Sequence, residues 1–344
     1  MPVHRLFLFG ALAALLWFGS PGLTEDLRQE AHKGWDVTAA EAAELERGLA
    51  ANPEDLNARA RLLGYYFRHH RTDPSRRAGH ILWFIRNAPE AEVLEGPEAQ
   101  IMPVLDPEGF AAAKEAWLQQ IESEPRNVTL LRHAAAFFTL SDETSSAELL
   151  MRAEDVEPSS AEWARELGQI HWREARQFPE GWDAALAERA LADFERAYAL
   201  SEASGRGPLL PELAMAAFVI GDTDKARTYA ETMLADIPDD WNRGNRVHYG
   251  NLVLGRVALA DGDLRGAAQY LLAAGRTPGS PQLNSFGPDM ALARDLLELG
   301  ETQTVLRYLA LCLDFWEMGQ ASLKNWIALI EGGRTPDFSR HLRF

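Results

Sequence analysis

Proline residues recur along this chain at a nearly constant interval, and this periodicity restricts the possible folds more than any other feature. Successive members of the series are 36, 36, 33, 80 and 40 residues apart, and 80 is two intervals of 40. The series consists of Pro53, Pro89, Pro125, Pro158, Pro238 and Pro278. Each lies between two apolar helical segments, where a residue without an amide hydrogen ends a helix. The sequence therefore predicts a chain of helix pairs, because repeats of this length bury their apolar faces against their neighbours.

Shorter patterns recur within these units. The first helix of a unit carries leucine followed by glycine or alanine, at the place where two helices are expected to cross; these pairs are Leu63-Gly64, Leu167-Gly168, Leu254-Gly255 and Leu292-Ala293. The second helix carries a small, a bulky and a small residue on one face, best seen in Ala190, Phe194 and Ala197. Glycine followed by an acidic residue predicts the turn between the helices. These turns are Gly221-Asp222, Gly262-Asp263 and Gly300-Glu301.

From Thr38 to about Asp314 this combination of patterns resembles the tetratricopeptide repeat. The stretch from Ser285 to Trp316 is also similar to the C-terminal part of uncharacterised bacterial exported repeat proteins. The resemblance implies an all-α fold, a right-handed α-solenoid of about seven stacked antiparallel helix pairs. It implies a fold and no particular activity.

The first 22 residues have the pattern of a signal peptide. His4 and Arg5 precede an apolar run from Leu6 to Gly19. As a helix this run spans ~21 Å, which is too short for the ~30 Å hydrocarbon core of a bilayer. Cleavage before Leu23 predicts an exported chain, periplasmic or extracellular. An uncleaved N-terminal anchor stays open as the alternative.

The mature chain is expected to fall into two segments, N-terminal helical repeats at 23–108 and tetratricopeptide-like repeats at 109–344. Residues 90–107 contain three prolines and a glycine, which predict an irregular stretch rather than a regular helix. The final helix, 321–331, has no helix after it and is expected to cap the array.

The chain carries 34 basic and 51 acidic residues, a formal net charge of −17. This charge repels phosphate backbones and anionic lipid headgroups, so no nucleic-acid partner is expected. Because the apolar run of the leader is too short to cross a bilayer, no stable membrane span is expected after leader removal. Cys312 is the single cysteine, so no intramolecular disulfide can form. Its apolar neighbours, among them Leu309 and Leu311, predict a buried structural thiol.

Sequence motifs of enzymes are absent: there is no P-loop, dinucleotide fingerprint, nucleophile elbow or zinc-protease motif. His69 and His70 are adjacent and would point about 100° apart on a helix, which disfavours zinc. His171 and Glu174 stand three residues apart, which predicts a surface hydrogen-bonding pair rather than a ligand pair. The chain is therefore interpreted as non-catalytic, with no cofactor and no metal.

The predicted binding surface is the concave groove that the first helices line in stacked folds of this kind. The register of the leucine-glycine pairs places nine residues on it. They are Arg61, Tyr65, Arg68, Arg165, Gln169, Trp172, Arg173, Tyr249 and Arg256. Arginine pairs bidentately with carboxylates, and aromatic side chains give a large contact area, so the sequence predicts a protein or peptide partner in this groove.

Three other interpretations stay open. A mixed, solvated helix face in an arginine-rich chain gives the same residue pattern without any partner. The segment 176–183 lengthens one loop by about ten residues, and with Trp182 it would suit a glycan-binding module or an enzyme of the cell envelope. A structural spacer without a ligand is the third.

Overall fold

The computed structural model describes residues 25–69, 74–177, 181–235 and 237–342, and this part of the chain is almost entirely α-helical. Within these ranges the only strands are β1 (Arg176–Gln177) and β2 (Gly181–Trp182). The predicted all-α fold class is confirmed. The predicted leader, 1–22, and His70 lie outside the described residues.

The chain divides into two compact units, of which the first ends at Pro158 and the second begins at Ser159. The boundary expected after residue 108 stays a prediction. In the described ranges no helix is both long enough and apolar enough to cross a lipid bilayer.

The first unit is built of helices that pack mainly against their neighbours along the chain: α2 against α3, α3 against α4, α4 against α5, and α6 against α7. The helices are α1 (Glu25–Lys33), α2 (Ala39–Ala51), α3 (Leu56–Arg68), α4 (Pro74–Asn87), α5 (Pro107–Ser123), α6 (Val128–Phe138) and α7 (Glu143–Val156). Asp and Asn side chains begin several of them: Asp55, Asp106, Asn127 and Asp142 each accept a hydrogen bond from an amide in the first turn.

The stretch predicted to be irregular holds two short 3-10 turns, Glu92–Glu95 and Pro97–Ala99, and no α-helix before Pro107. Arg77 of α4 closes this stretch, because its guanidinium donates to the backbone carbonyl oxygens of Pro97, Glu98 and Gln100. Burial lowers the pKa of Arg77 to about 10. The carbonyl groups that a helix would have paired are thus satisfied by one side chain.

A buried glutamate joins three segments of the first unit. Glu95 forms an ion pair with Arg28 of α1, and its Oε1 lies 2.6 Å from Arg132 Nε and 3.1 Å from His133 Nε2, both of α6. Burial by itself would raise the pKa of this carboxyl, but the contact with His133 and the charges of Arg132 and Arg28 lower it below its ordinary value. Glu95 therefore ties α1 and α6 to the turn between α4 and α5.

The second unit repeats the packing of neighbours, with α8 against α9, α11 against α12, α13 against α14, and α16 against α17. Its helices are α8 (Ala161–Ala175), α9 (Ala184–Leu200), α10 (Ala203–Arg206), α11 (Leu210–Val219), α12 (Thr223–Ala235), α13 (Arg243–Ala260), α14 (Leu264–Gly275), α15 (Pro281–Phe286), α16 (Ala291–Glu298), α17 (Thr302–Cys312) and α18 (Gln320–Glu331). One hydrophobic core runs from α8 to α18 and contains Cys312, whose predicted burial is confirmed.

The glycines of the leucine-glycine pairs lie where helices approach closely. A Cβ on Gly168 of α8 would come within 2.7 Å of the Phe194 ring of α9, and a Cβ on Gly255 of α13 would come within 2.3 Å of Leu292. Phe194 is fully buried between Ala190 and Ala197 on its own helix. Small residues on one helix therefore admit bulky residues from another, as the sequence pattern predicts.

The glycine-acid turns adopt the expected backbone conformation. Gly221, Gly262 and Gly300 have φ angles of 84°, 81° and 89°, a left-handed region in which a side chain is strained. Asp263 then begins α14 by accepting the amide of Gly266. Each turn thus ends one helix and begins the next within a few residues.

The segment after the last helix differs from the expectation of a bare capping helix. Residues 332–342 continue past α18, and Phe338 is buried with its ring 5.0 Å from that of Trp326. The His341 ring lies 4.8 Å from Trp316, and its carbonyl oxygen accepts the Met290 amide at 2.7 Å. The chain's own tail thus packs on α18 at Trp326.

Candidate partner-binding surface

Helix α8 presents two different faces. Ser160 begins it by accepting the amide of Glu162, and one face is buried against α9 through residues that include Trp163, Leu167 and Gly168. The other face carries predicted site residues at positions i, i+4 and i+7, which lie in a row on a helix. Arg165, Gln169 and Trp172 form this row and are half-buried, and Arg173 beside it is exposed. We call these four residues the α8 surface.

The charge of Arg165 is shared with two carboxylates of the chain itself. Its guanidinium donates to Glu166 Oε1 at 2.8 Å. The second carboxylate is that of Glu212 in α11. Burial raises the pKa of Glu212 to about 7, and the nearby charge of Arg165 offsets part of this rise. Glu212 Oε2 is buried without a hydrogen-bond partner in the described part of the chain. Sequence reasoning missed Glu212, although an acid within the apolar run from Leu209 to Leu213 was a visible signal.

Gln169 and Trp172 differ in how they are held. The side-chain amide of Gln169 has no hydrogen-bond partner among the residues that the structure describes. The Trp172 ring stacks on Trp182 of β2, with centroids 4.3 Å apart and planes at 29°. The α8 surface therefore combines a stacked pair of indole rings with an amide whose donors and acceptor are available to a partner.

The hairpin next to this surface is short and well anchored. Arg176 of β1 pairs with Trp182, and the Asp183 amide donates to the Ala175 carbonyl at 2.7 Å. Arg176 also donates to the carbonyl of Leu342 in the C-terminal tail. Residues 178–180 lie outside the described ranges. Because the Trp172 and Trp182 rings cover one another, each has lost one of the two faces that stacking on a sugar would use.

The predicted pairing of His171 with Glu174 is wrong. His171 Nδ1 instead lies 2.6 Å from Asp193 Oδ2 on α9, and Arg196 donates to the other oxygen of Asp193 at 2.9 Å. Asp193 is only 7 % exposed. His171 therefore joins α8 to α9, and the nearly buried carboxylate of Asp193 has a partner on each side.

The two predicted residues of α13 are engaged in packing. Tyr249 is 9 % exposed and lies edge-on to His248, with ring centroids 5.2 Å apart. Arg256 lies 3.4 Å from Asp295 of α16, and its guanidinium is 4.7 Å from the ring centroid of Phe218 of α11. Burial lowers the pKa of Arg256, and the Asp295 charge acts in the opposite direction. These side chains join helices and offer a partner little surface.

The three predicted residues of the first unit lie on a face of α3 that the chain itself covers in part: Arg61 and Tyr65 are half-buried and Arg68 is exposed. Helix α1 and the 3-10 turn after it pack on α3, and Arg61 forms an ion pair with the buried Glu30, whose pKa this contact lowers. The Arg68 guanidinium is 5.9 Å from the centroid of Trp35. Tyr65 stacks on His69 at 4.4 Å. Helix α1 thus occupies the Arg61 end of the face where a groove ligand was expected.

Of the nine predicted residues, the structure brings together the four of the α8 surface. Arg61, Tyr65 and Arg68 lie in the first unit, and Tyr249 and Arg256 lie within the packing of the second. Within the described ranges, no three His, Cys, Asp or Glu side chains come close enough to hold a metal ion.

The raised pKa of Glu212 gives a test of this description. Because this carboxyl ionises less readily in the folded chain, the free energy of unfolding falls as the pH rises from about 4.5 to about 7. Glu212→Gln removes that loss, so we expect it to raise the free energy of unfolding by about 3 kcal/mol above pH 7, since the pKa rises from 4.5 to about 7 and each pKa unit corresponds to about 1.4 kcal/mol. Near the ordinary pKa of glutamate the variant should match the native chain. Urea unfolding across this pH range measures the difference, and Glu188→Gln on the exposed face of α9 is the control. An equal effect of Glu212→Gln at both ends of the range would contradict the raised pKa.

No protein-family model matches the sequence, and a search of curated proteins gives no significant match.

Proposed function

We propose that this chain is an exported, non-catalytic interaction scaffold whose helix pairs stack as tetratricopeptide-like repeats. Three observations support the repeat architecture: consecutive helices pack on one another within each unit, glycines lie at close helix approaches, and glycine-acid turns separate the helices. Repeats of this kind use extended faces of their helices to hold segments of other proteins. The leader of the sequence supports export.

The observation that best supports the proposed function is the side-chain amide of Gln169 on the α8 surface. Water reaches this amide, so it costs little without a partner in the chain, and a bound segment can replace that water with hydrogen bonds of its own at a modest net gain. Gln169 has no hydrogen-bond partner in the described chain, and it lies between Arg165 and Trp172 on one helix face. A partner segment that crosses α8 can supply the missing hydrogen bonds and stack against the edge of the fixed indole pair.

The test is affinity capture from the envelope fraction of the source cells with the chain that starts at Leu23. The variant Gln169→Glu with Arg173→Glu changes the charge of the α8 surface by −3 and leaves the buried residues in place. We expect it to lower recovery of the captured partner at least about tenfold, since two contacts at the centre of an interface contribute more than about 1.4 kcal/mol. Mass spectrometry with labelled standards gives the recovery.

The matched control is Arg189→Glu with Gln269→Glu, which makes the same change of charge at exposed positions of α9 and α14. Recovery with the control should equal that of the native chain. If both variants lose the partner to the same degree, net charge and not the α8 surface governs binding. If neither loses it, the proposed surface is wrong.

A further inference from the structure

A shallow depression of the second unit lies between α14 and α17. It has a volume of about 390 Å³ and is lined by Leu272, Arg276, Arg307, Ala310 and Leu311. The two helices come close beneath it, because a Cβ on Gly275 would lie 3.0 Å from side-chain atoms of Tyr308 and Leu311. The result is an apolar floor with an arginine on each helix, which we call the α14–α17 cleft.

The two arginines of this cleft carry uncompensated charge. Arg276 and Arg307 are exposed, and neither side chain has a hydrogen bond or ion pair to another described residue. On α17 the positions one turn away from Arg307 are glutamine, threonine, alanine and leucine, so no acid of that helix can reach it. Arg165 and Arg256, by contrast, are bound to carboxylates of the same unit. The cleft therefore presents two guanidinium groups around apolar carbon.

In the same unit, the turn before α13 exposes a negatively charged side chain and a large apolar one. The side chain of Asp239 is 97 % exposed, with only a distant contact of 3.9 Å to Arg243. Trp241, two residues later, is 50 % exposed, which makes it one of the most exposed large apolar side chains of the unit. Asp240 between them is held by Arg246 at 2.7 Å, so the backbone of the turn is fixed. We call Asp239 and Trp241 the acidic turn.

We propose that the acidic turn of one copy of this chain binds the α14–α17 cleft of a second copy. A carboxylate pairs with guanidinium groups in the geometry that arginine favours, and an indole covers the leucine floor. Tryptophan and arginine are the residues that most often dominate binding energy at interfaces. Two copies that each carry −17 repel at long range, but screening limits that repulsion to about 8 Å at physiological salt, so the local contact decides.

A single turn-to-cleft contact is head-to-tail and leaves one free turn and one free cleft on the dimer. The association is independent of the α8 surface and goes beyond partner binding. Each copy can add another, which would set several α8 surfaces side by side and raise their joint affinity for a repeated partner.

Sedimentation velocity over a concentration series tests this, with two complementary variants of the full chain. The first, Arg276→Glu with Arg307→Glu, loses the cleft and keeps the turn. The second, Asp239→Lys with Trp241→Ala, loses the turn and keeps the cleft. We expect the native chain to form species larger than a monomer as concentration rises, and each variant alone to associate at least about tenfold more weakly.

An equimolar mixture of the two variants is the decisive measurement. It retains one intact turn and one intact cleft, so it should form dimers that do not grow further. Arg189→Glu with Arg265→Glu, which reverses two exposed arginines elsewhere, should associate like the native chain. The proposal is overturned if the native chain stays monomeric, if the variants associate as it does, or if their mixture stays monomeric. A monomeric chain whose cleft binds an unrelated acidic peptide would assign the cleft to another partner.

Discussion

Replacing Phe194 with alanine is expected to lower the free energy of unfolding of the second unit by about 3–5 kcal/mol. The ring is fully buried where α9 crosses α8, directly against Gly168. Its removal leaves a cavity that the two helices cannot close without moving, because their small residues already bring them near. Urea unfolding of the full chain, followed by circular dichroism and tryptophan fluorescence, gives the change.

The contact between Gly168 and Phe194 predicts that substitutions at the two positions have non-additive effects on the free energy of unfolding. Gly168→Ala adds a Cβ that would lie 2.7 Å from the Phe194 ring, so we expect a loss of about 1–3 kcal/mol from overpacking. Combined with Phe194→Leu, the added methyl group should find room, and the double variant should lose less than the sum of the two single changes. Gly48→Ala, on a helix position with open space around it, should not destabilise the chain. Strictly additive effects would show that α8 and α9 do not cross at Gly168.

Glu95→Gln is expected to lower the free energy of unfolding of the first unit by about 3–5 kcal/mol, because it leaves Arg28 and Arg132 with uncompensated charge beside His133. The pKa of Glu95 is lowered in the folded chain, so its stabilisation is present above the ordinary value of 4.5 and is lost as the pH falls through the folded value. The native chain and the variant should therefore differ most at neutral pH and converge in acid.

Urea unfolding at neutral and at acidic pH measures this difference. Glu44→Gln serves as the control, because Glu44 is exposed and its ion pair with Arg47 spans 3.7 Å at the surface. The control should change stability by less than about 0.5 kcal/mol at any pH. A loss for Glu95→Gln that is equally large in acid would contradict the role assigned to the ionised carboxylate.

The local patterns of the sequence were enough to predict how neighbouring helices meet. Proline and glycine act through the backbone of a few adjacent residues, so the glycine-acid turns and the irregular stretch after Pro89 could be recognised without any knowledge of distant contacts. The approach of Gly168 to Phe194 could be predicted for the same reason, since a small residue on one helix and a bulky one on the next are the sequence signs of a close crossing.

Local sequence patterns could not predict which carboxylates the arginines of the expected groove would pair with. Arg256 meets Asp295 from a helix 39 residues later, and Arg61 meets Glu30 from a helix 31 residues earlier. Helix α1 covers part of the predicted face of α3, yet Leu27 and Ala31 are its only apolar residues, so its packing could not be recognised from the sequence. Ion pairs between distant segments depend on tertiary packing, and this is why the sequence placed nine residues on one groove and the structure gathers four of them on α8.

Hydrogen exchange of the chain with and without its captured partner tests whether the α8 surface binds that partner, because it reports which backbone amides the partner protects. We expect slower exchange on binding in α8 and little change in α3, because α1 already occupies part of the predicted face of α3. Protection of α3 with unchanged exchange throughout residues 161–175 would contradict binding at the α8 surface.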